Sequence, residues 1–267
     1  MKSMGLGVGY SRSFERRVIH YARHGRILNV NKLLVFFQIV ICFIISLVFI
    51  LNIESISHVF VSHAIYLIKD VSVENKEITN SIRVFYIKYD GRFPSIYEVI
   101  IYIFSSVVGI FLAKRIKFIS QHIIIYIQFL FFILLCSSMF FYFIPYKFPY
   151  DSTTFSVLYI LTQVLIFSFI PAVLGLSLAL FNVSLTLFLT NFIVIGIALI
   201  YSFVFGVVRY VVMLFILNKF SYIWMANLFF NLGPLLDMIY ISGVYSIYIS
   251  IISDRYRKFT VYWRWIY

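Results

Sequence analysis

Charge is what this sequence has least of. Asp, Glu, Lys and Arg make up 12% of its 267 residues, about half the share of a water-soluble domain. From Ser152 to Val208 there is no Asp, Glu, Lys, Arg or His at all, a run of 57 residues. With 63% hydrophobic residues and a mean hydropathy of +0.99, this excludes a soluble folded domain. About 20 apolar residues cross a bilayer as helix, so the uncharged run alone needs two crossings. Backbone groups in lipid must be satisfied within the segment, which makes the spans helical.

Other absences exclude chemistry. The two cysteines, Cys42 and Cys136, both fall inside apolar runs; they match neither a metal spacing nor a disulfide framework and read as packing residues. The glycines of GLGVG, Gly5 to Gly9, follow no strand and precede no Gly-Lys-Ser/Thr, so they make no phosphate loop. No nucleic-acid motif accompanies the net charge of +12, and no nucleic-acid partner is expected. The first apolar run begins at Leu33, is too long for a signal-peptide core and has no small-residue cleavage site after it. No cofactor and no metal site is expected.

What charge there is clusters. Seven Lys/Arg lie in residues 1–32, three in the knot LAKRIKFISQH from Leu112 to His122, and four between Arg255 and Arg264. Basic clusters beside apolar runs are the positive-inside signature, reinforced by anionic headgroups. Six spans are expected, at about 33–53, 96–113, 119–143, 156–179, 185–205 and 235–253. They put both termini, the knot and the LFNVS turn (180–184) on one side, with 14 of 22 basic residues (7 + 3 + 4) against Glu15 and Asp254 as the acids there. The fold class is therefore all-α and polytopic. It comprises a cytosolic basic segment over 1–32, one transmembrane domain over 33–253 and a basic tail over 254–267, in the plasma membrane with cytosolic ends.

Within 1–32, Phe14, Val18, Tyr21 and Leu28 recur near helical spacing among arginines that include Arg16 and Arg17. That pattern reads as an amphipathic helix in the headgroup plane or as a disordered basic tail. Residues 54–94 form a mixed-charge outer loop in which Ser81 to Tyr89 alternates like a strand and Asp90-Gly91 supplies a turn. Gly206 to Gly233 is apolar but carries Arg209, Lys219, Asn227 and Asn231. Charges at both thirds argue against a simple crossing, and the stretch reads as a re-entrant outer hairpin; if it crosses and returns, the spans number eight. Gln38, Gln128, Thr162, Gln163, Thr190 and Asn191 are polar groups inside spans, lining a path or hydrogen-bonding between helices.

Candidate catalytic groups are sparse. His20 and His24 are four residues apart but have no glutamate between them in an HExxH arrangement; His58 and His63 lie near the outer loop and His122 at the knot. In size and hydropathy the chain resembles exosortase-type membrane cysteine peptidases, whose Cys and Arg roles Cys136 and Arg209 could fill. No histidine follows Arg209 to activate the thiol.

A different family matches the layout. SVVGIFLAKRIKFISQHIIIYIQFLFFI, FSFIPAVLGLSLALFNVSLTLFLTNF and NLGPLLDMIY resemble the second-to-third-span, fourth-to-fifth-span and pre-final-span stretches of type-2 ABC exporter permeases (DrrB-like and polysaccharide-exporter-like). The resemblance implies a separate nucleotide-binding ATPase subunit and a second membrane subunit, identical or not, beside the lipid bilayer. It also implies that Lys114, Arg115, Ile116, Lys117 and Phe118 form the coupling loop to that ATPase, for a lipid, glycan, drug or peptide cargo. Two other readings stand beside it: the basic loop as a simple topology anchor, and the chain as an accessory subunit that transports nothing.

Overall fold

The computed structural model describes residues 26–68, 72–79, 82–115, 118–148, 150–256 and 263–265. The amphipathic segment of Phe14, Arg16, Arg17, Val18 and Tyr21 lies outside these residues, as do Ile116 and Lys117.

Six helical stretches are long and apolar enough to cross a membrane: Lys32–Leu51, Ile96–Arg115, Gln121–Phe143, Ser152–Ala179, Leu185–Lys219 and Trp224–Arg255. They fall where the apolar runs place them. The first is α1 (Lys32–Leu51), begun by Asn31, whose side-chain oxygen accepts from the Leu33 N–H at 3.0 Å. That cap satisfies one of the donors a helix start leaves open. At the other end Asn52 donates its side-chain N–H to the Val48 carbonyl at 2.8 Å, competing with the backbone ladder, and the chain restarts as α2 (Ile53–Leu67).

That helix corrects the expectation of a loop beginning at residue 54. Glu54, His58 and His63 interrupt the hydropathy, yet Ser57, Phe60, Val61 and Ala64 are buried at helical spacing, an amphipathic stripe facing the core. The strand expected in 81–89 is present as β3 (Ile82–Ile87). Its partner is β2 (Val73–Thr79), antiparallel with Val73 opposite Ile87 and Glu77 opposite Arg83. Asp90 and Gly91 lie in the connection after the hairpin and do not form its turn.

α3 (Ile96–Arg115) and α4 (Gln121–Phe143) form a helical hairpin, joined by the Gln128 amide donating to the Ile110 carbonyl at 3.3 Å. Most of its surface is exposed apolar side chain, Phe104 and Phe111 among them, as lipid-facing helices require. α5 (Ser152–Ala179) is the opposite case, with Phe155, Tyr159, Gln163, Phe167, Ile170 and Leu174 all buried. It is the central post. α1 packs antiparallel to it, and Gly175 lets the two close in: a Cβ there would sit 2.5 Å from Cys42.

α6 (Leu185–Lys219) has 35 residues and is about 52 Å long. The fifth span was expected to stop at 205, with a separate hairpin from Gly206. Instead the helix runs through Gly206 to Lys219, because that glycine makes room for a neighbour rather than breaking the helix. The chain then turns and folds back through α7 (Trp224–Leu232) before α8 (Pro234–Tyr256). At the two ends of the described chain, β1 (Arg26–Leu28) pairs antiparallel with β4 (Trp263–Trp265), bringing those segments to one place.

Candidate functional site

The α5–α6 interface is polar in the middle of apolar helices. Along α5, Ser156, Tyr159 and Gln163 recur every three or four residues; along α6, Ser202, Gly206, Arg209 and Tyr210 do the same. Tyr159 donates its hydroxyl to the Gly206 carbonyl at 3.1 Å and its ring stacks on Tyr210. Ser156 and the Tyr210 hydroxyl share a hydrogen bond, and the Ile87 N–H donates to Tyr210 at 3.1 Å. This seam ties the β-hairpin to the bundle.

At the centre of the seam is a buried ion pair. One terminal nitrogen of Arg209 donates to both oxygens of Asp237, at 2.7 and 2.9 Å, and the two residues are 3% and 1% exposed. The same nitrogen reaches Gln163 Oε1 at 3.2 Å, the other terminal nitrogen donates to the Gly233 carbonyl at 3.1 Å, and the guanidinium lies over the Phe205 ring. Gln163 in turn donates to the Ser202 hydroxyl at 3.1 Å. Gly206 permits this: a Cβ there would meet Gln163 Cδ at 2.8 Å.

The arrangement has a local cause. The chain breaks between α7 and α8 at Gly233-Pro234, where proline cannot continue the hydrogen-bond ladder. A break leaves carbonyls open at the end of α7 and N–H groups open at the start of α8. Arg209 meets the Gly233 carbonyl, and Asp237, in the first turn of α8, sits where the helix dipole favours an anion. Gln163 is 11 residues into the 28-residue α5, about 16 Å along its axis. The sequence singles out Arg209 for its position in the apolar stretch and as a candidate peptidase arginine; Asp237, 28 residues on, gives no spacing signal that joins them.

Three carboxamides make a second buried cluster at the α5–α6 turn. The Gln38 oxygen accepts from Asn182 at 2.8 Å and from Asn191 at 3.1 Å, and Gln38 donates to the Gly175 carbonyl at 2.8 Å. Asn191 also donates to Asn182 Oδ1 at 2.8 Å and accepts from the Tyr248 hydroxyl at 2.8 Å. Asn31 donates its backbone N–H to the Asn182 carbonyl at 2.8 Å. Thr162 and Thr190 bond carbonyls of their own helices. Gln38, Gln128, Gln163 and Asn191 thus hydrogen-bond between helices, whereas the two threonines bond within their own.

The knot residues are placed apart from the ion pair. Lys114 and Arg115 end α3 and are exposed, and Phe118 is completely exposed. Away from this tip, the hairpin meets the bundle at α7: the Ser137 hydroxyl donates to the Ile223 carbonyl at 2.8 Å, and the Tyr102 and Trp224 rings meet edge to face.

The cysteine-peptidase roles do not assemble. Cys136 is an exposed free thiol on α4, His122 lies 14 residues earlier on that helix, about 21 Å away, and Arg209 is engaged by Asp237. Among the described residues no three His, Cys, Asp or Glu gather as a metal site; His20 and His24 lie outside them. Comparison with protein-family models, curated proteins and solved structures gave no match.

Proposed function

We propose that this chain is the membrane-spanning permease subunit of an ATP-driven exporter, with hydrolysis on a separate ATPase subunit. That partner grips the basic, aromatic tip of the α3–α4 hairpin, at Lys114, Arg115, Ile116, Lys117 and Phe118, on the cytosolic face of the plasma membrane. A second membrane subunit, identical or related, completes the path.

The observation that carries this reading is the hairpin. Its tip bears two cations and a phenylalanine that is fully exposed among the described residues, and its far end bonds α7. The Gly233 carbonyl at the end of α7 receives the Arg209 guanidinium. A push at the tip is thereby passed through two packed helices to the broken helix and its ion pair, the kind of rigid-body movement that gates membrane pathways. The pairing of β1 with β4 supports the placement of both chain ends on one side, where the ATPase would act.

The test is charge reversal. Affinity-purified wild-type protein should bring an ATPase activity with it, and Lys114→Glu, Arg115→Glu and Lys117→Glu together should remove that activity while the protein stays folded. An unchanged association sinks the docking role. Cysteine labelling that puts position 114 and position 263 on opposite faces removes the mechanism.

A further inference from the structure

Under the β-hairpin lies a cavity of about 600 Å³. Its walls are mostly apolar, with Leu67 and Ile68 at the end of α2, Ile87 from β3, and Val211 and Phe215 from α6, and Tyr89 lies beside them. Leu67 and Phe215 are 57% and 60% exposed, so the cavity opens on the outer surface of the bundle rather than into its core. Its rim is polar, formed by Lys88 and Asn218.

The rim sits at a chemical boundary. Below it α6 is apolar; above it are Lys219, at the end of that helix, and a hairpin bearing Glu74, Lys76, Glu77, Arg83 and Lys88. In a bilayer this is the level where hydrocarbon gives way to headgroups. Lys88 donates to Glu74 Oε1 at 2.8 Å, while the Tyr86 hydroxyl donates to the other carboxylate oxygen at 3.0 Å. Glu74 thus has a donor on each oxygen, whereas an ammonium carries three N–H groups and the Lys88 side chain is 51% exposed. Asn218 uses one N–H on the Asp90 carbonyl at 3.4 Å, leaving its side-chain oxygen and second N–H at the rim. A polar solute would gain little from walls whose polar group is Tyr89 alone, set among Leu67, Ile68, Val211, Val212, Leu214 and Phe215, and an uncharged chain would gain nothing from the ammonium. The ligand that satisfies both is an amphiphile with an anionic head.

We propose that this cavity binds one acyl chain of an anionic membrane phospholipid, with the phosphate held at Lys88 and Asn218. The site stands apart from the export reading, because it requires neither an ATPase nor the hairpin tip.

Native mass spectrometry of the full chain in detergent tests it, with dioleoyl phosphatidylglycerol, dioleoyl phosphatidylcholine and free oleate as probes. Wild-type protein should retain the glycerol lipid over the choline lipid. Lys88→Gln should weaken the anionic lipid alone by about fivefold, the worth of one lysine near a charged surface. Val211→Trp and Leu67→Trp, which fill the cavity from two sides, should reduce retention of either phospholipid. Equal retention of the two phospholipids, or unchanged binding in both tryptophan variants, overturns the assignment. Oleate displacing the glycerol lipid at equal concentration overturns it too, in favour of a free carboxylate amphiphile. Lys88 lies on the surface, so its variant reports binding even if a tryptophan variant fails to fold.

Discussion

Neutralising the two halves of the Arg209–Asp237 pair should have unequal effects, and removing both should cost less than removing either. The pair is almost fully buried. Deleting one partner of a buried ion pair costs about 3–5 kcal/mol, because a charge is left uncompensated. Asp237→Leu leaves a guanidinium that cannot shed its proton. It keeps Gln163, the Gly233 carbonyl and the Phe205 face, the last worth about 2 kcal/mol when dry, so its cost falls near the lower end of that range. Arg209→Met instead leaves a carboxylate, which can neutralise itself by taking a proton, but it also strips the Gly233 carbonyl of its donor. The double variant removes both charges and should recover most of the loss, since apolar replacement of a buried pair is often neutral. The assay is thermal unfolding of purified protein in detergent. At about 2–4 °C per kcal/mol for a chain of this size, each single variant should melt on the order of 10 °C lower and the double variant only a few degrees lower. Additive losses would refute the reasoning, because independent sites add and coupled ones do not.

Other outcomes follow from the same contacts. Gly206→Val should displace Gln163 and cost about 1–3 kcal/mol, the usual range for overpacking, read as a lowered melting temperature and as weaker coupling between Arg209 and Asp237. Gln38→Leu should destabilise by roughly 1–3 kcal/mol, because it takes one acceptor from the Asn182 and Asn191 amides and the side-chain donor from the buried Gly175 carbonyl, and Asn182→Ala added to it should cost little more because both act in one cluster. Asp151 caps α5; hydrogen bonds from the Thr153 hydroxyl and then from Thr154 hold its carboxyl down at about 2. Asp151→Ala should cost about 1 kcal/mol at pH 7. Because the folded carboxyl is the stronger acid, its stabilisation is present above the ordinary carboxylate range near 4. It is lost as pH falls through about 2, where wild type and variant should converge. A gap as large at pH 2 as at pH 7 would refute a contribution from the ionised carboxyl.

The sequence alone determined the helical class and the places of the stretches long and apolar enough to cross a membrane. An uncharged run of 57 residues admits no aqueous fold, and apolar runs of about 20 residues have one stable form in lipid. Those constraints are local, so they are legible without neighbours; the strand in 81–89 is legible for the same reason, by its alternation. Helix α2 was hidden because Glu54, His58 and His63 lower the hydropathy while its buried stripe declares itself only against β3, α5 and α6.

Tertiary structure decided the rest. Whether Gly206 breaks a helix or admits Gln163 depends on what faces it, and glycine permits either. Arg209 and Asp237 are 28 residues apart on different helices, at no spacing that one helix could bring together. They meet because the chain folds back through α7 and breaks at Gly233-Pro234. Polar groups in lipid must find partners wherever the packing offers them, and that choice belongs to the fold.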